Sequence, residues 1–481
     1  MDPETAVLLS RAAALRRAGQ IEEAIVAYEE LLAREPALPN SWYNLGWLQR
    51  RARRYEQALA SYAEALNLGI GEPEEVHLNR AVILSDFLAR PDEAQAELQA
   101  ALRLKPDYLP ALLNLGNLHE DRGDRAAAET VYRKALEVDP RNALALSRVA
   151  GLVDGKSDAS AQLAQQLSNQ LPVAGSAGER ADLGFALGRL LDARGDYEQA
   201  FAAYAAANRA SRESFGPRFK GYDRAAHERF VDRLIATFPE PVQPGAEPAP
   251  SAFICGMFRS GSTLVEQILG GHSRVSAGGE LDLVPALVAA IPNYPEGAAS
   301  AGDAERKKWR DFYRKGLRPL LRDGALVTDK RPDNFLHIGF IKTLFPAAKI
   351  VHTKRDRTDN LLSLYFLHLD PGMAYALDLS DAAHWYGEYE RLMAHWKTLY
   401  PEEIFDVDYD ALVRDPKPQL ERLVDFLGLD WEDGLLDFHS RSGAVKTASV
   451  WQVREPLHAR SSGRWRNYSK QLESALGASG R

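Results

Sequence analysis

Three short stretches place anion-binding and proton-transferring residue types at usable spacings. The first is Gly256-Met-Phe-Arg-Ser-Gly-Ser-Thr263, which follows the apolar run Phe253 to Gly256 and precedes the helical Leu264-Val-Glu-Gln-Ile-Leu269. A strand, a tight glycine loop and a helix start aim several N–H groups at one point, and the helix dipole adds to them, which makes an anion site. The spacing is that of G-x-x-x-x-G-K-[ST], with Ser262 where the lysine belongs. Without a lysine to reach β- and γ-phosphates the loop suits a triphosphate poorly, whereas Arg259 inside it could grip a shorter group. The second stretch carries Arg355 at a strand end and Ser363 two helical turns on. These can converge on one phosphate, by a charge-assisted fork and by a hydroxyl; alone, Arg-Asp beside a helix is more often a surface salt bridge. The third is Glu280, after Gly278-Gly279 at the start of the helical Glu280-Leu-Asp-Leu-Val-Pro285. It could act as a base, or merely favour a helix dipole.

Other chemistries find no support. The 11 histidines show no H-E-x-x-H or paired metal spacing, and the single cysteine, Cys255, excludes a Cys-rich zinc site. No metal is expected, and His272 and His352 are read as structural. Gly-x-Ser-x-Gly is absent around Ser260 and Ser262, against a serine hydrolase. A net charge of −8 gives no general attraction to nucleic acid or an anionic membrane, so any phosphate site must be local. Cys255 falls in an apolar run and cannot form an internal disulfide, which suits a buried thiol in a reducing cytosol. The start of the sequence has no basic and apolar leader pattern, and no stretch reaches about 18 uninterrupted apolar residues. The expectation is a cytoplasmic protein that is neither exported nor inserted in a membrane.

At 481 residues more than one core is required. Beyond the proline-rich Phe238 to Pro250, short apolar runs (Phe253 to Gly256, Leu326 to Thr328, Ile350 to His352, Ile404 to Val407) alternate with amphipathic helices, which argues for a parallel α/β sheet. Ahead of it, alanines recur at Ala24, Ala58, Ala94, Ala128 and Ala200, spaced by 34 to 36 residues with the last gap doubled. Each copy carries small residues such as Gly46, Gly116 or Gly188 and then an aromatic, Tyr28, Tyr62, Tyr132 or Tyr204, and Pro36, Pro106 and Pro140 end second helices. This pattern resembles the tetratricopeptide repeat over residues 5 to 210, with a degenerate copy near 145 to 172. The expected division is a helical repeat domain 1–237, a linker 238–250 and an α/β domain 251–481. The resemblance implies a superhelix whose concave face commonly holds a peptide or partner protein; packing on the second domain or making a homodimer are equally open.

Arg259-Ser-Gly-Ser-Thr263 is similar to the 5′-phosphosulfate-binding loop of sulfotransferases, and Leu269-Gly-Gly-His-Ser-Arg-Val-Ser-Ala-Gly-Gly-Glu280 resembles the protein-tyrosine sulfotransferases. The likeness continues through Thr328 to Phe335, Lys349 to Tyr365 and Val407 to Pro416. It implies a P-loop-like sulfotransferase domain using 3′-phosphoadenosine-5′-phosphosulfate (PAPS) as co-substrate. Arg259, Ser260, Gly261, Ser262 and Thr263 would take the 5′-phosphosulfate, and Arg355 and Ser363 the 3′-phosphate. Tyr409 and Arg464 resemble further nucleotide contacts, while Leu367 stands where the family often has another basic residue. Glu280 aligns with the catalytic glutamate, Lys330 resembles the lysine that stabilises the bridging oxygen, and Arg259 and Ser449 would act beside it. The implied acceptor is a tyrosine of a protein or peptide, with a glycan, lipid or small phenol as the alternative. A kinase is disfavoured by Ser262. A repeat-based interaction protein with a degenerate nucleotide-binding domain is disfavoured by the joint presence of Arg259, Glu280, Lys330, Arg355 and Ser363.

Overall fold

The recurring glycines and tyrosines meet where two helices cross. A Cβ at Gly46 would lie 2.9 Å from the Tyr62 ring, and one at Gly116 would lie 2.4 Å from the Tyr132 ring. Tyr62 and Tyr132 are fully buried, so each aromatic fills the space that a missing side chain leaves. The computed structural model describes residues 3–243, 249–321, 326–438 and 457–476. It divides into two compact units, Met1–Leu152 and Val153–Arg481.

The first unit is all helical. Its hairpins pair Pro3–Arg17 with Ile21–Arg34, Pro39–Arg51 with Tyr55–Asn67, Pro73–Val82 with Pro91–Leu104, and Leu109–Arg122 with Arg125–Val138, and Ala143–Leu152 follows. The helices ending at Arg34, Leu104 and Val138 stop two residues before Pro36, Pro106 and Pro140, because proline disfavours helix in the residue ahead of it.

The second unit holds the sheet and four helices ahead of it, Asp158–Gln170, Ala177–Arg194, Tyr197–Ser214 and Arg224–Thr237. This division falls nearer the N-terminus than the proline-rich stretch 238–250. The hairpin Ala177–Arg194/Tyr197–Ser214 keeps the repeat signature, with Gly188 against Tyr204, yet Phe185, Tyr204 and Ala207 share one buried cluster with sheet residues such as Phe253 and Ile350. Strands β1 (Ser251–Gly256), β2 (Val275–Ala277), β3 (Leu326–Lys330), β4 (Ile350–Lys354) and β5 (Ile404–Asp408) form one parallel sheet ordered β2-β3-β1-β4-β5. β1 is central and buried throughout, as its uninterrupted apolar run requires. The chain winds to one side through β2 and β3 and then crosses to β4, so the crevice at the carboxyl ends of β1 and β4 is the topological switch point where such sheets bind ligands.

The residues read as structural are so placed. Cys255 is buried, and burial pushes its thiol well up. His352 Nδ1 pairs with Asp406 Oδ1 at 2.7 Å and its Nε2 with Tyr389 Oη at 2.5 Å, while His272 Nε2 meets the Asp430 carbonyl at 2.9 Å.

One buried acid on β3 makes stability depend on pH. Asp329 accepts hydrogen bonds from Tyr313 Oη at 2.7 Å and Asn334 Nδ2 at 3.2 Å, and burial pushes its carboxyl from the ordinary 3.8 up to about 7. Between those values the native state keeps a proton that the unfolded chain has lost, so this group's contribution falls as pH rises through that window. Asp329→Asn should therefore gain stability relative to the unaltered protein progressively between about pH 4 and pH 7, read as the urea midpoint at each pH. A pH-independent difference would contradict this.

Candidate active site

The loop after β1 is shaped by two glycines that no other residue could replace without strain. Gly256 has φ +149° and a Cβ there would lie 2.2 Å from the Thr353 carbonyl, which lets β1 and β4 approach at the switch point. Gly261 has φ +101°, and its Cβ would meet the Tyr409 ring at 2.6 Å. The helix Ser262–Leu269 starts there, and Gly261, Ser262 and Thr263 line a cavity at its N-terminus. Ser260 does not line this cavity: buried, it donates to the Met257 carbonyl at 2.6 Å and pairs with Thr353 Oγ1 at 2.7 Å, fastening the loop to β4.

The cavity gathers most of the predicted nucleotide residues. Arg259 Nε donates to Ser363 Oγ at 3.2 Å, and Arg355 lies 5.0 Å over the Tyr409 ring while donating to the Arg259 carbonyl at 3.4 Å and to the Ser461 carbonyl. Burial and then the neighbouring Arg355 push the Arg259 guanidinium down to about 10. Two cations held this close favour an anion between them. Arg464 also lines the cavity, but its guanidinium forms an ion pair with Asp192 at 2.5 Å and lies 5.2 Å over Phe366. Asp359 accepts from the backbone N–H of Gly463 and, at 2.8 Å, of Trp465, which fastens the C-terminal segment whose Ser461 and Arg464 line the cavity. Asp192, Asp359 and the cavity-lining Arg189 were missed in the sequence. Of these only Asp359, inside the Arg355 motif, carried a local signal.

A second pole forms at the carboxyl end of β3. Lys330, 1% exposed, donates from Nζ to Glu280 Oε1 at 2.6 Å, so it is no solvated surface charge. Its backbone N–H donates to the Gly279 carbonyl at 2.9 Å. Glu280 does not open a helix: with Gly279 at φ +70° the chain turns, and the helix Leu283–Ala290 begins only after Asp282. The helix-dipole explanation of Glu280 therefore falls away. Beneath the pair lies Glu266, an unpredicted residue, accepting from Thr328 Oγ1 at 2.7 Å and the Gly279 N–H at 2.9 Å. Burial pushes its carboxyl up, opposed first by the charge of Lys330. The signal was an acid between the apolar Leu264-Val265 and Ile268-Leu269 of the helix. Ser449 lies outside the described residues. Among the described residues no group of three or more metal-ligating side chains occurs, and no helix is long and apolar enough to cross a membrane.

The domain is a parallel α/β sheet with a cavity at its switch point lined by Arg259, Arg355 and Arg464. Residues 250–433 match the sulfotransferase family, and residues 9–73, 87–143 and 113–167 match the tetratricopeptide repeat. The segment 250–433 is thus similar to sulfotransferases, and the segments ahead of it are similar to tetratricopeptide repeats. A protein of Aquifex aeolicus (strain VF5) is 32% identical over 82% of this chain and 52% of its own length. A putative protein-tyrosine sulfotransferase of Caenorhabditis briggsae is 22% identical over 44% of this chain and 79% of its own. The chain spans about half the length of the Aquifex relative. Among solved structures, the sulfotransferase domain of the Synechococcus PCC 7002 olefin synthase is 23% identical with a TM-score of 0.36, covering 47% of this chain and 91% of that domain.

Proposed function

We propose that this chain transfers a sulfuryl group from PAPS to an acceptor hydroxyl, most naturally a tyrosine of a protein or peptide. The observation that carries the reading is the cavity in which Arg259, Arg355 and Ser363 converge beside a glycine loop that lacks the triphosphate lysine. That donor set fits a nucleotide carrying two separate anionic groups. Ser262, Thr263 and the helix N-terminus would hold the 5′-phosphosulfate, and Arg355 with Ser363 the 3′-phosphate. Bound PAPS supplies an activated sulfuryl group whose S–O bond to the 5′-phosphate breaks as the acceptor oxygen bonds to sulfur.

Glu280 then has the role of taking the acceptor's proton. A tyrosine hydroxyl starts near about pKa 10, so a carboxylate assists only when proton transfer and attack are concerted. Lys330, held against Glu280, would offer its positive charge to the oxygen that becomes the leaving group, and Arg259 of the β1 loop would act with it. Ser449 would join them. The repeats would recruit the protein acceptor. Incubation with sulfur-labelled PAPS and a panel of tyrosine peptides, glycans, lipids and simple phenols tests the acceptor: label on peptide tyrosine is expected. Label confined to a glycan, lipid or phenol would remove the tyrosine assignment and keep the transferase.

A further inference from the structure

We infer that Glu266 is a positioning residue that sets the Lys330 and Glu280 pair against the donor loop; this deepens the PAPS reading and rests on it. Glu266 lies one turn into the helix Ser262–Leu269, whose first residues, Ser262 and Thr263, line the donor cavity. It does not line that cavity itself and is 3% exposed. Its Oε1 accepts from the Gly279 N–H at 2.9 Å and from Thr328 Oγ1 at 2.7 Å. These donors belong to the two segments that carry the pair, since Gly279 immediately precedes Glu280 and Thr328 lies two residues ahead of Lys330 on β3.

Gly279 is thereby held at both of its backbone polar groups, its N–H by Glu266 and its carbonyl by the Lys330 N–H at 2.9 Å. The Gly278 N–H donates to Thr328 Oγ1 at 3.2 Å, so the hydroxyl that donates to Glu266 also fastens the turn to β3. With Gly279 at φ +70°, these bonds fix the direction in which Glu280 leaves the turn to meet Lys330 Nζ. Burial pushes the Glu266 carboxyl up, while the charges of Lys330 and Glu280 act on it in opposite senses, so it lies within electrostatic reach of both. Displacing a reacting group by about 1 Å costs about 100-fold in rate, and Glu266 joins the donor helix to the segments of the proposed base and lysine.

The test compares Glu266→Met, Glu266→Gln and Thr328→Val in the full chain, with kcat read as label moved from saturating sulfur-labelled PAPS to a tyrosine peptide. Affinity for 3′,5′-adenosine bisphosphate is read in parallel by calorimetry. Methionine has the length of glutamate but no oxygen for the two donors, whereas glutamine keeps one. Glu266→Met should lower kcat by about 10- to 100-fold with bisphosphate affinity within about twofold, and Glu266→Gln should stay within about threefold of the unaltered chain. Thr328→Val, which keeps the shape and removes the shared hydroxyl, should lower kcat in the same way and decides the matter if Glu266→Met does not fold. An unchanged kcat, a fall matched by an equal loss of bisphosphate affinity, or a glutamine variant as slow as the methionine one overturns the inference. If the unaltered chain neither binds the bisphosphate nor moves label, the PAPS reading fails first and takes this assignment with it.

Discussion

Glu280→Gln should lower kcat for sulfuryl transfer by about 10²- to 10⁴-fold while leaving the affinity for 3′,5′-adenosine bisphosphate in place. The amide oxygen can still accept from Lys330 Nζ, which now holds Oε1 at 2.6 Å, so the local geometry has a replacement partner. What the amide cannot do is take the acceptor's proton. Lys330→Met answers a different question: it removes a fully buried cation and leaves Glu280 without that partner, so lost stability and lost rate arrive together. The diagnostic comparison is therefore the glutamine variant, assayed at saturating donor. A loss of less than about threefold would remove Glu280 from the chemistry and leave it as a positioning partner for Lys330.

A chain cut to residues 215–481 should fail to fold stably, whereas one cut to residues 153–481 should fold and bind the bisphosphate as the full chain does. The shorter fragment loses Phe185 and Tyr204, both buried in the cluster that contains Phe253 and Ile350, together with the Asp192 anchor of Arg464 and Tyr468. Each large aromatic removed from a core costs about 3–5 kcal/mol, against a total domain stability of about 5–15 kcal/mol. Two such losses and an uncompensated Arg464 consume most of that margin. Thermal unfolding followed by circular dichroism reads the outcome. A fragment 215–481 with an unchanged Tm and bisphosphate affinity would show that the hairpin is dispensable.

What the sequence disclosed and what it concealed divide along locality. The β1 loop was legible because a fully apolar strand, two glycines and a helix start are contiguous, and the repeats because Gly46–Tyr62 and Gly116–Tyr132 are contacts within one hairpin. β2 escaped because its three residues carry no periodicity of their own and form a strand only beside β3. Glu280 was put at a helix start because the charge pattern allowed it, but Gly279 in the left-handed region delays the helix to Leu283. The hairpin Ala177–Arg194/Tyr197–Ser214 looks like any other copy, since the Gly188–Tyr204 contact is the same. Its membership of the second unit depends on Asp182, Phe185 and Asp192 meeting His368, Arg464 and Tyr468, residues 183 to 276 positions later. For the same reason Arg189 could not be read as a cavity-lining residue from its own neighbourhood.

The donor class is tested most directly by calorimetric titration of the full chain with 3′,5′-adenosine bisphosphate, with 5′-AMP and ATP as controls and Arg355→Ala in parallel. Binding is expected to require the 3′-phosphate and to weaken by about 10- to 100-fold in the Arg355 variant, with no gain for ATP. Absence of binding, or a preference for ATP with magnesium, would contradict it.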